Sequence, residues 1–198
     1  MLVKSDKSRV RRSAARASYQ RSELYPIIDR LKMGHVCFVQ DGAPVSIPML
    51  VWRVEDSIYI HGSRGSRLVK QLLDSENACI SFAELNGWVM AKSAFHHSAN
   101  YHSAVLFGQF DEITDEASQL AIYGNFVEQL EEGRWPQIRK PNQQEINATS
   151  LLKMDINEGA VKIRKGGPVD DKEDLSLPVW AGELPLYTKN GVKIVHPA

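Results

Sequence analysis

Between residues 35 and 61 the apolar positions come in short runs separated by polar turn residues, which is the pattern of β-strands joined by hairpins. His35–Gln40 (HVCFVQ) predicts the first strand, and the Asp41-Gly42 pair behind it is typical of a hairpin turn. Ile47–Val54 predicts the second strand. Pro48 inside it favours a sheet edge or a bulge, because proline has no amide hydrogen for a central ladder. Ser57–His61 predicts the third strand.

Further strands are predicted beyond residue 77. Asn77–Glu84 and Trp88–Phe95 have strand composition, and the Asn86-Gly87 pair between them predicts a second hairpin. Tyr101–Ile113 predicts a long strand, with Gly108 at a bend or bulge. The last two strands are predicted at Ser150–Ile156 and Ala160–Arg164, around a turn at Asn157-Glu158-Gly159.

Two short helices are predicted in the first half of the chain. Pro26 is well placed in the first turn of a helix from Pro26 to Lys32, and Gly34 is expected to end it. A second, amphipathic helix follows Arg67. Its expected apolar side consists of Leu68, Leu72 and Leu73.

The strongest helix pattern follows Thr114, which is expected to cap it, while Gly133 closes it. Asp115 and Glu116 fall in the first turn, where negative charge is favourable. A shorter helix is predicted at Pro141–Ala148. One face of the strong helix is expected to contain Leu120, Tyr123, Val127 and Leu130.

Strands at hairpin spacing with a few inserted helices predict a mainly β fold, a small antiparallel barrel. The length of 198 residues fits a single domain over 1–198. A basic N-terminal tail (1–12) is expected to fray, and an extended C-terminal segment (166–198) is expected to run over the surface. The predicted anchors of that segment are Leu177, Val179, Trp180 and Leu184.

Composition excludes few functions. Twenty-four basic and twenty-four acidic residues cancel, so no global charge demands nucleic acid or an anionic membrane. No run approaches the roughly 20 apolar residues of a membrane span, and the N-terminus has no signal core. Cys37 and Cys79 are expected to be reduced and buried in the core, which with these absences suggests a cytoplasmic protein.

The loop after the third strand carries the first candidate chemistry. This loop leads into a helix start, where unpaired amides and the helix dipole favour an anion. It consists of Gly62, Ser63, Arg64, Gly65, Ser66 and Arg67. Glycines permit close approach, the serines offer hydroxyls or a cap, and the arginine forks suit phosphate oxygens. The loop therefore predicts a phosphate cradle, with an ordinary capped helix as the alternative.

Other catalytic motifs are absent from the sequence. There is no HExxH, no zinc-spaced cysteine pair, no G-x-S-x-G elbow, and neither a Rossmann nor a P-loop glycine motif. Gly62 to Gly65 matches a KH-type GxxG, but a strand rather than a helix precedes it. No metal site is predicted. A second polar stretch, Lys92–Ser103 (KSAFHHSANYHS), predicts either a solvated turn or another wall of a site for a planar, phosphorylated ligand.

The chain resembles the pyridoxamine 5'-phosphate oxidase-related flavoproteins, which have a split β-barrel. Three motifs carry the resemblance and occur in this order: HGSRGSRLVKQL, KSAFHHSANYHSAVLFG and LPVWAGELPL. The resemblance covers roughly Arg11 to Leu186 and is nearest to the branch that includes the nitroimidazole-resistance proteins. It implies a homodimer with FMN in a cleft between the subunits.

The resemblance also implies roles for individual residues. Ile47, Pro48, Met49, Leu50 and Val51 would run beside the isoalloxazine ring, and His61, Gly62 and Ser63 would follow the ribityl chain. Ser66 and Arg67 would hold the phosphate. Four further residues would line the same cleft, some of them from the partner subunit: Lys92, Ser93, His96 and Tyr101. Trp180 would pack near the flavin.

One departure from the family pattern bears on activity. Residues 181–198 contain no arginine, whereas genuine pyridoxamine phosphate oxidases carry an arginine-rich motif there, so oxidation of pyridoxamine phosphate is not expected. The main hypothesis is an FMN-dependent oxidoreductase with a small acceptor, for which a nitroaromatic compound is one candidate, and with His61 or His96 as proton donor. The alternatives are a non-catalytic flavin or haem binder, acting as carrier or sensor, and a nucleic-acid module that uses the basic N-terminus.

Overall fold

Antiparallel β-structure dominates the computed structural model, which describes residues 1–188. Four α-helices are inserted between the strands. The helices are α1 (Arg21–Leu31), α2 (Arg67–Asp74), α3 (Glu116–Leu130) and α4 (Gln143–Ala148). The strands are β1 (Ala17–Ser18), β2 (Met33–Gln40), β3 (Ala43–Leu50), β4 (Trp52–Val54), β5 (Ser57–Ser63), β6 (Ala78–Met90), β7 (Ser98–Gly108), β8 (Asp111–Ile113), β9 (Thr149–Asp155), β10 (Glu158–Arg164) and β11 (Gly182–Pro185).

The strands form two sheets. The seven-stranded sheet has the order β1-β10-β7-β6-β2-β3, and β11 pairs with β6; the four-stranded sheet has the order β4-β5-β9-β8. This confirms the predicted mainly β, antiparallel fold. The β2–β3 hairpin is confirmed, since Asp41 (φ 51°) and Gly42 (φ 78°) adopt the left-handed backbone of a tight hairpin turn. Pro48 lies on β3, an edge strand, as predicted.

The chain divides into two compact units. Unit 1 comprises Met1–Ala83 and Ser103–Lys162, and unit 2 comprises Glu84–His102 and the chain from Ile163 onward. Unit 1 contains a large apolar core, to which α1 contributes Leu24 and Ile28 and α2 contributes Val69 and Leu72. Completely buried Leu and Ile side chains each stabilise a fold by roughly 1.5–3 kcal/mol. The single domain over 1–198 stays a prediction.

The hairpin predicted at Asn86-Gly87 is wrong, because β6 runs without interruption from Ala78 to Met90. Gly87 is there for a close approach: it lies opposite Pro185 of β11, and a Cβ atom on it would be 2.9 Å from the carbonyl oxygen of Leu184. The Asn86-Gly87 pair therefore looks like a turn signal in the sequence, although glycine is required there because β11 packs closely against the strand.

The first helix differs from its prediction as well. α1 begins at Arg21 and contains Pro26 in its interior. An interior proline costs about 3 kcal/mol in an isolated helix, but Leu24 and Ile28 on either side of it are completely buried and hold the helix in place. Lys32, with φ 49°, ends the helix, and Gly34 instead lies in β2, where a Cβ atom would be 2.8 Å from Ile80 Cγ2.

The strong helix is confirmed as α3, but its cap is Asp115 rather than Thr114. The Asp115 carboxylate accepts hydrogen bonds from the Ser118 hydroxyl at 2.7 Å and from the Ser118 amide at 2.9 Å, and these bonds lower the pKa of Asp115. Leu130 is exposed, contrary to prediction. The buried face includes Gly124, where a Cβ atom would be 2.9 Å from Trp135 Nε1.

Both chain ends correct the predictions. The N-terminus is not frayed: Leu2 is buried, its amide bonds to Tyr19 O at 2.7 Å, and Lys7 pairs with Glu158 at 3.4 Å. The predicted C-terminal anchors Leu177, Val179, Trp180 and Leu184 are exposed, and the segment is attached through β11. The part of segment 166–198 from 189 to 198 lies outside the described residues.

Cys37 and Cys79 are half-buried rather than core residues. None of the described helices is long and apolar enough to cross a membrane.

Candidate anion-binding loop and its surroundings

The loop between β5 and α2 is shaped by hydrogen bonds to its own backbone and to the end of α4. The Ser66 amide donates to Ser63 O at 2.9 Å, which closes a turn, and the Arg64 amide donates to Ala148 O at 3.0 Å. Ser66 caps α2, since its hydroxyl accepts from the Val69 amide at 3.3 Å. The sequence left open whether Ser63 or Ser66 is the cap, and the structure selects Ser66.

Two backbone amides at the start of α2 are left without a partner. The N–H groups of Arg67 and Leu68 make no hydrogen bond to any residue from 1 to 188. Amides in the first turn of a helix point away from the helix body, and the dipole concentrates positive charge there. The start of α2 therefore offers two donors and a favourable field to an anion.

The two arginines of the loop differ. Arg64 lies 3.3 Å from Glu112 and is held by that carboxylate. Arg67 is exposed and forms no ion pair or hydrogen bond within the described chain. A guanidinium group can donate two parallel hydrogen bonds to one phosphate group. Arg67 is therefore the cation available to an anion at the helix start, while Arg64 contributes mainly to the local field.

Glycines keep the loop open. At Gly65 an added Cβ atom would meet no atom within 4 Å, so the packing of the chain itself does not require glycine there. At Gly62 it would lie 3.2 Å from Val69 Cγ2, which ties β5 closely to α2. A residue without a side chain at position 65 leaves the backbone accessible from solvent, which suits a ligand that approaches the amides.

His61, just before this loop, is surrounded by aromatic rings that the sequence analysis missed. Its ring centroid lies 5.8 Å from Trp52, 6.2 Å from Tyr123 and 6.4 Å from Phe126. Burial lowers the pKa of His61, although part of the residue remains exposed, so the imidazole is mostly neutral at pH 7. No described residue hydrogen-bonds to its ring. The only sequence signal for the cluster was the helical spacing of Tyr123 and Phe126.

An open pocket of about 250 Å³ adjoins His61 and Tyr123, and residues around α4 form its other side. Burial raises the pKa of Tyr123, and the nearby Arg64 partly offsets this effect. The Tyr123 hydroxyl and the Trp52 indole nitrogen are buried and have no hydrogen-bond partner among the described residues. The remaining lining residues are Pro141, Glu145, Ile146 and Thr149.

The edge strand β3 contains the predicted ring-contacting residues Ile47, Pro48, Met49 and Leu50. Because β3 pairs only with β2, half of its backbone groups have no strand partner in the described chain. Val51 is different: its side chain is completely buried, and its amide donates to Lys32 O at 2.8 Å. β3 thus offers unpaired backbone groups along its free edge, of which Pro44 and Pro48 supply only carbonyl acceptors.

The other predicted cleft residues belong to unit 2, where the segment after Gly167 engages two of them. The Lys92 amide donates to Asp170 at 2.8 Å and its ammonium group bonds to Leu177 O, while His96 Nε2 lies 3.1 Å from Asp171. Three more predicted residues have no such contact: the Ser93 hydroxyl is buried without a partner among the described residues, Tyr101 is half-buried, and Trp180 is 60% exposed.

The structure thus brings His61, Gly62, Ser63, Ser66 and Arg67 together within unit 1, and Lys92, Ser93 and His96 together within unit 2. The proton-donor roles of His61 and His96 stay predictions. The lowered pKa of His61 favours its neutral form, which donates or accepts a hydrogen bond more readily than it releases a proton at pH 7.

Comparison with known proteins places this geometry in context. A family model described as pyridoxamine 5'-phosphate oxidase matches residues 20–163. The chain is 34% identical to the flavocytochrome Anf3 from Azotobacter vinelandii, over 98% of this chain and 90% of that one, with a TM-score of 0.92. It is 33% identical to an FAD- and heme-binding protein from Mycobacterium smegmatis, over 92% of this chain and 89% of that one, with a TM-score of 0.87.

A more distant structure, a putative 5-nitroimidazole antibiotic resistance protein from Bacteroides thetaiotaomicron, is 17% identical over 73% of this chain and 86% of that one. Its TM-score of 0.61 indicates a shared fold. A search of curated protein sequences gives no match.

Proposed function

Since the chain belongs to the pyridoxamine 5'-phosphate oxidase family, as the sequence motifs predicted, we propose that it binds a flavin and passes reducing equivalents through it to a small acceptor. The observation that carries this proposal is the start of α2. The amides of Arg67 and Leu68 and the Arg67 guanidinium group have no partner among residues 1–188. They lie next to each other just after a strand, where the family resemblance implies a flavin phosphate.

Each part of the loop has a role in this proposal. Arg67 and the amides of α2 bind the phosphate, Ser66 holds the helix start in shape, and Gly62 and Ser63 follow the ribityl chain. The free backbone groups of β3 hydrogen-bond the edge of the isoalloxazine ring. The bound flavin would supply the hydride chemistry, and the protein orients the ring and adjusts its charge environment.

The proposed flavin is FMN, with FAD as the alternative that the M. smegmatis relative brings in. Both flavins present a phosphate after the ribityl chain, so the start of α2 suits either. The experiment is to add FMN or FAD to the purified chain, remove the excess, and record the absorption spectrum. Retention of FMN alone would support the proposal, retention of FAD alone would replace FMN by FAD, and retention of neither would refute flavin binding.

Turnover requires a separate experiment. The flavin-loaded protein is mixed with NADH or NADPH and a nitroaromatic acceptor, and consumption of the nicotinamide is followed by absorbance. Acceptor-dependent consumption above that of free flavin at equal concentration supports the oxidoreductase. A flavin that stays bound but neither oxidises the nicotinamide nor reduces the acceptor would favour the carrier or sensor hypothesis.

A second cofactor is favoured by one specific observation: of the two similar proteins named above, one is a flavocytochrome and the other binds heme as well as FAD. We propose b-type haem binding with His61 as a ligand to the iron. The fit rests on its neutral imidazole and on ring nitrogens without a partner among the described residues. Haem titration should give a Soret band that His61→Ala weakens and that the exposed control His35→Ala leaves unchanged.

A homodimer is part of the proposal. Unit 2 exposes several large apolar side chains, among them Phe95 (89%), Trp180 (60%) and Tyr187 (82%). Apolar surface of this extent on one compact unit is typical of an interface with another chain. Light scattering coupled to gel filtration should give twice the chain mass of 22.3 kDa, whereas a single chain mass would contradict the dimer.

A further inference from the structure

The two cysteines of the chain lie directly opposite each other on neighbouring antiparallel strands. Cys37 of β2 is the register partner of Cys79 of β6, and both thiols are free. Residues directly opposite in such a pair have Cα atoms about 4.5–5.5 Å apart. Disulfides span Cα separations of about 4.4–6.8 Å. The Cα spacing is therefore within the range that a disulfide spans, and the two Cβ atoms, which lie about 4.5–5.5 Å apart in such pairs, need to approach only slightly.

The side chains point to the same place. Cys37 and Cys79 both line an open, mostly apolar pocket of about 600 Å³, and the two thiols are close enough for Cys37 to raise the pKa of Cys79. The Cys37 thiol also lies 3.4 Å from the Ser46 hydroxyl on the next strand. Both residues are half-buried, so a small molecule can reach this pair through the mouth of the pocket.

We propose that Cys37 and Cys79 form a site for reversible thiol–disulfide exchange with low-molecular-weight disulfides. This inference does not depend on the proposed flavin function, because neither the residues nor the chemistry involve the loop at α2. The pair could not be predicted from sequence spacing, because forty-one residues separate the two cysteines in the chain.

The exchange occurs in two steps. The Cys37 thiolate attacks one sulfur of the small disulfide RSSR, which forms a mixed disulfide and releases RS⁻. The Cys79 thiolate then attacks the Cys37 sulfur, forms the Cys37–Cys79 bond and releases the second RS⁻. The two cysteine thiols lose two electrons and two protons in total, and RSSR takes up both to give two RSH.

The order of the steps follows from the surroundings of each thiol. Burial, and then the contact with Cys37, raise the pKa of Cys79 to about 11, so Cys79 is protonated at neutral pH and is the poorer first nucleophile. Once Cys37 is in the mixed disulfide, its contribution to this shift is removed. Cys79 is then a better nucleophile, and the Cys37 sulfur that it attacks is next to it.

The test uses the reduced, full-length protein and oxidised glutathione. After incubation, free thiols are alkylated and the intact mass is measured. We expect a mass lower by two hydrogens, no alkylation, no glutathione adduct, and a cross-linked peptide containing Cys37 and Cys79. Dithiothreitol should restore two alkylated thiols, and the melting temperature should rise in the oxidised form, because the bond closes the long loop between β2 and β6.

Single variants separate the two steps. In Cys79→Ser the mixed disulfide on Cys37 should persist, and in Cys37→Ser the glutathione adduct on Cys79 should form far more slowly. Circular dichroism establishes that both variants are folded. Two thiols that remain fully alkylatable in the wild type would overturn the proposal, and so would stable glutathione adducts on both cysteines without a cross-link.

Discussion

Replacement of Arg67 by alanine is the most direct perturbation of the proposed phosphate site. The side chain is exposed and forms no ion pair within the described residues, so its removal should cost the fold little. A hydrogen bond to a charged group contributes about 1.5–3 kcal/mol. Solvent screens such contacts when they are exposed, so we expect the contribution of Arg67 to lie near the lower end of this range. About 1.5 kcal/mol corresponds to roughly tenfold weaker binding of FMN.

The assay compares two ligands and two variants. Flavin fluorescence quenching gives the dissociation constants of FMN and of riboflavin, which has the same ring and ribityl chain but no phosphate. Arg67→Ala should weaken FMN and leave riboflavin unchanged. Lys70→Ala is the matched control: Lys70 is a cation on the same helix, exposed, and beyond the first residues of α2, so its removal should alter neither constant appreciably.

Two results would refute the reasoning. If Arg67→Ala weakened FMN and riboflavin equally, the side chain would act on the ring or on the fold rather than on the phosphate. If it left FMN binding unchanged while the wild type bound FMN more tightly than riboflavin, the phosphate would be held elsewhere in the chain.

Three further outcomes follow from the structure. Gly159→Ala should lower the free energy of unfolding by about 1–3 kcal/mol, because a Cβ atom there would overlap the backbone oxygen of Val105. An unchanged urea midpoint would contradict this close contact. Asn142→Ala removes the capping box that Asn142 and Glu145 form on α4. The same urea titration should show a free energy of unfolding lower by about 1 kcal/mol. No decrease would mean that the cap does not contribute to stability. Because the pKa of His61 is lowered on folding, the unfolded chain binds the proton more tightly, so wild-type stability should fall between about pH 7.5 and about pH 5.5. His61→Gln should show a smaller fall, and equal falls in both proteins would refute the assignment.

Features governed by neighbouring residues were determined by the sequence. The Asp41-Gly42 turn follows from the left-handed backbone that these residues tolerate, and the edge position of Pro48 follows from its missing amide hydrogen. The helix start at Ser66 and Arg67 was recognisable because capping acts over three residues. The mainly β class followed from the same local signals, repeated along the chain.

Features governed by distant segments were decided only by the tertiary structure. Gly87 looks like a turn residue until β11, almost a hundred residues later, packs against it. Pro26 looks like a helix start until the buried side chains around it outweigh its local cost. The ring cluster around His61 and the pairing of Cys37 with Cys79 depend on strand register. Local propensities amount to about a kcal/mol or less for most residues and to about 3 kcal/mol for an interior proline. Buried contacts between remote segments contribute as much or more, so they override local preferences where the two conflict.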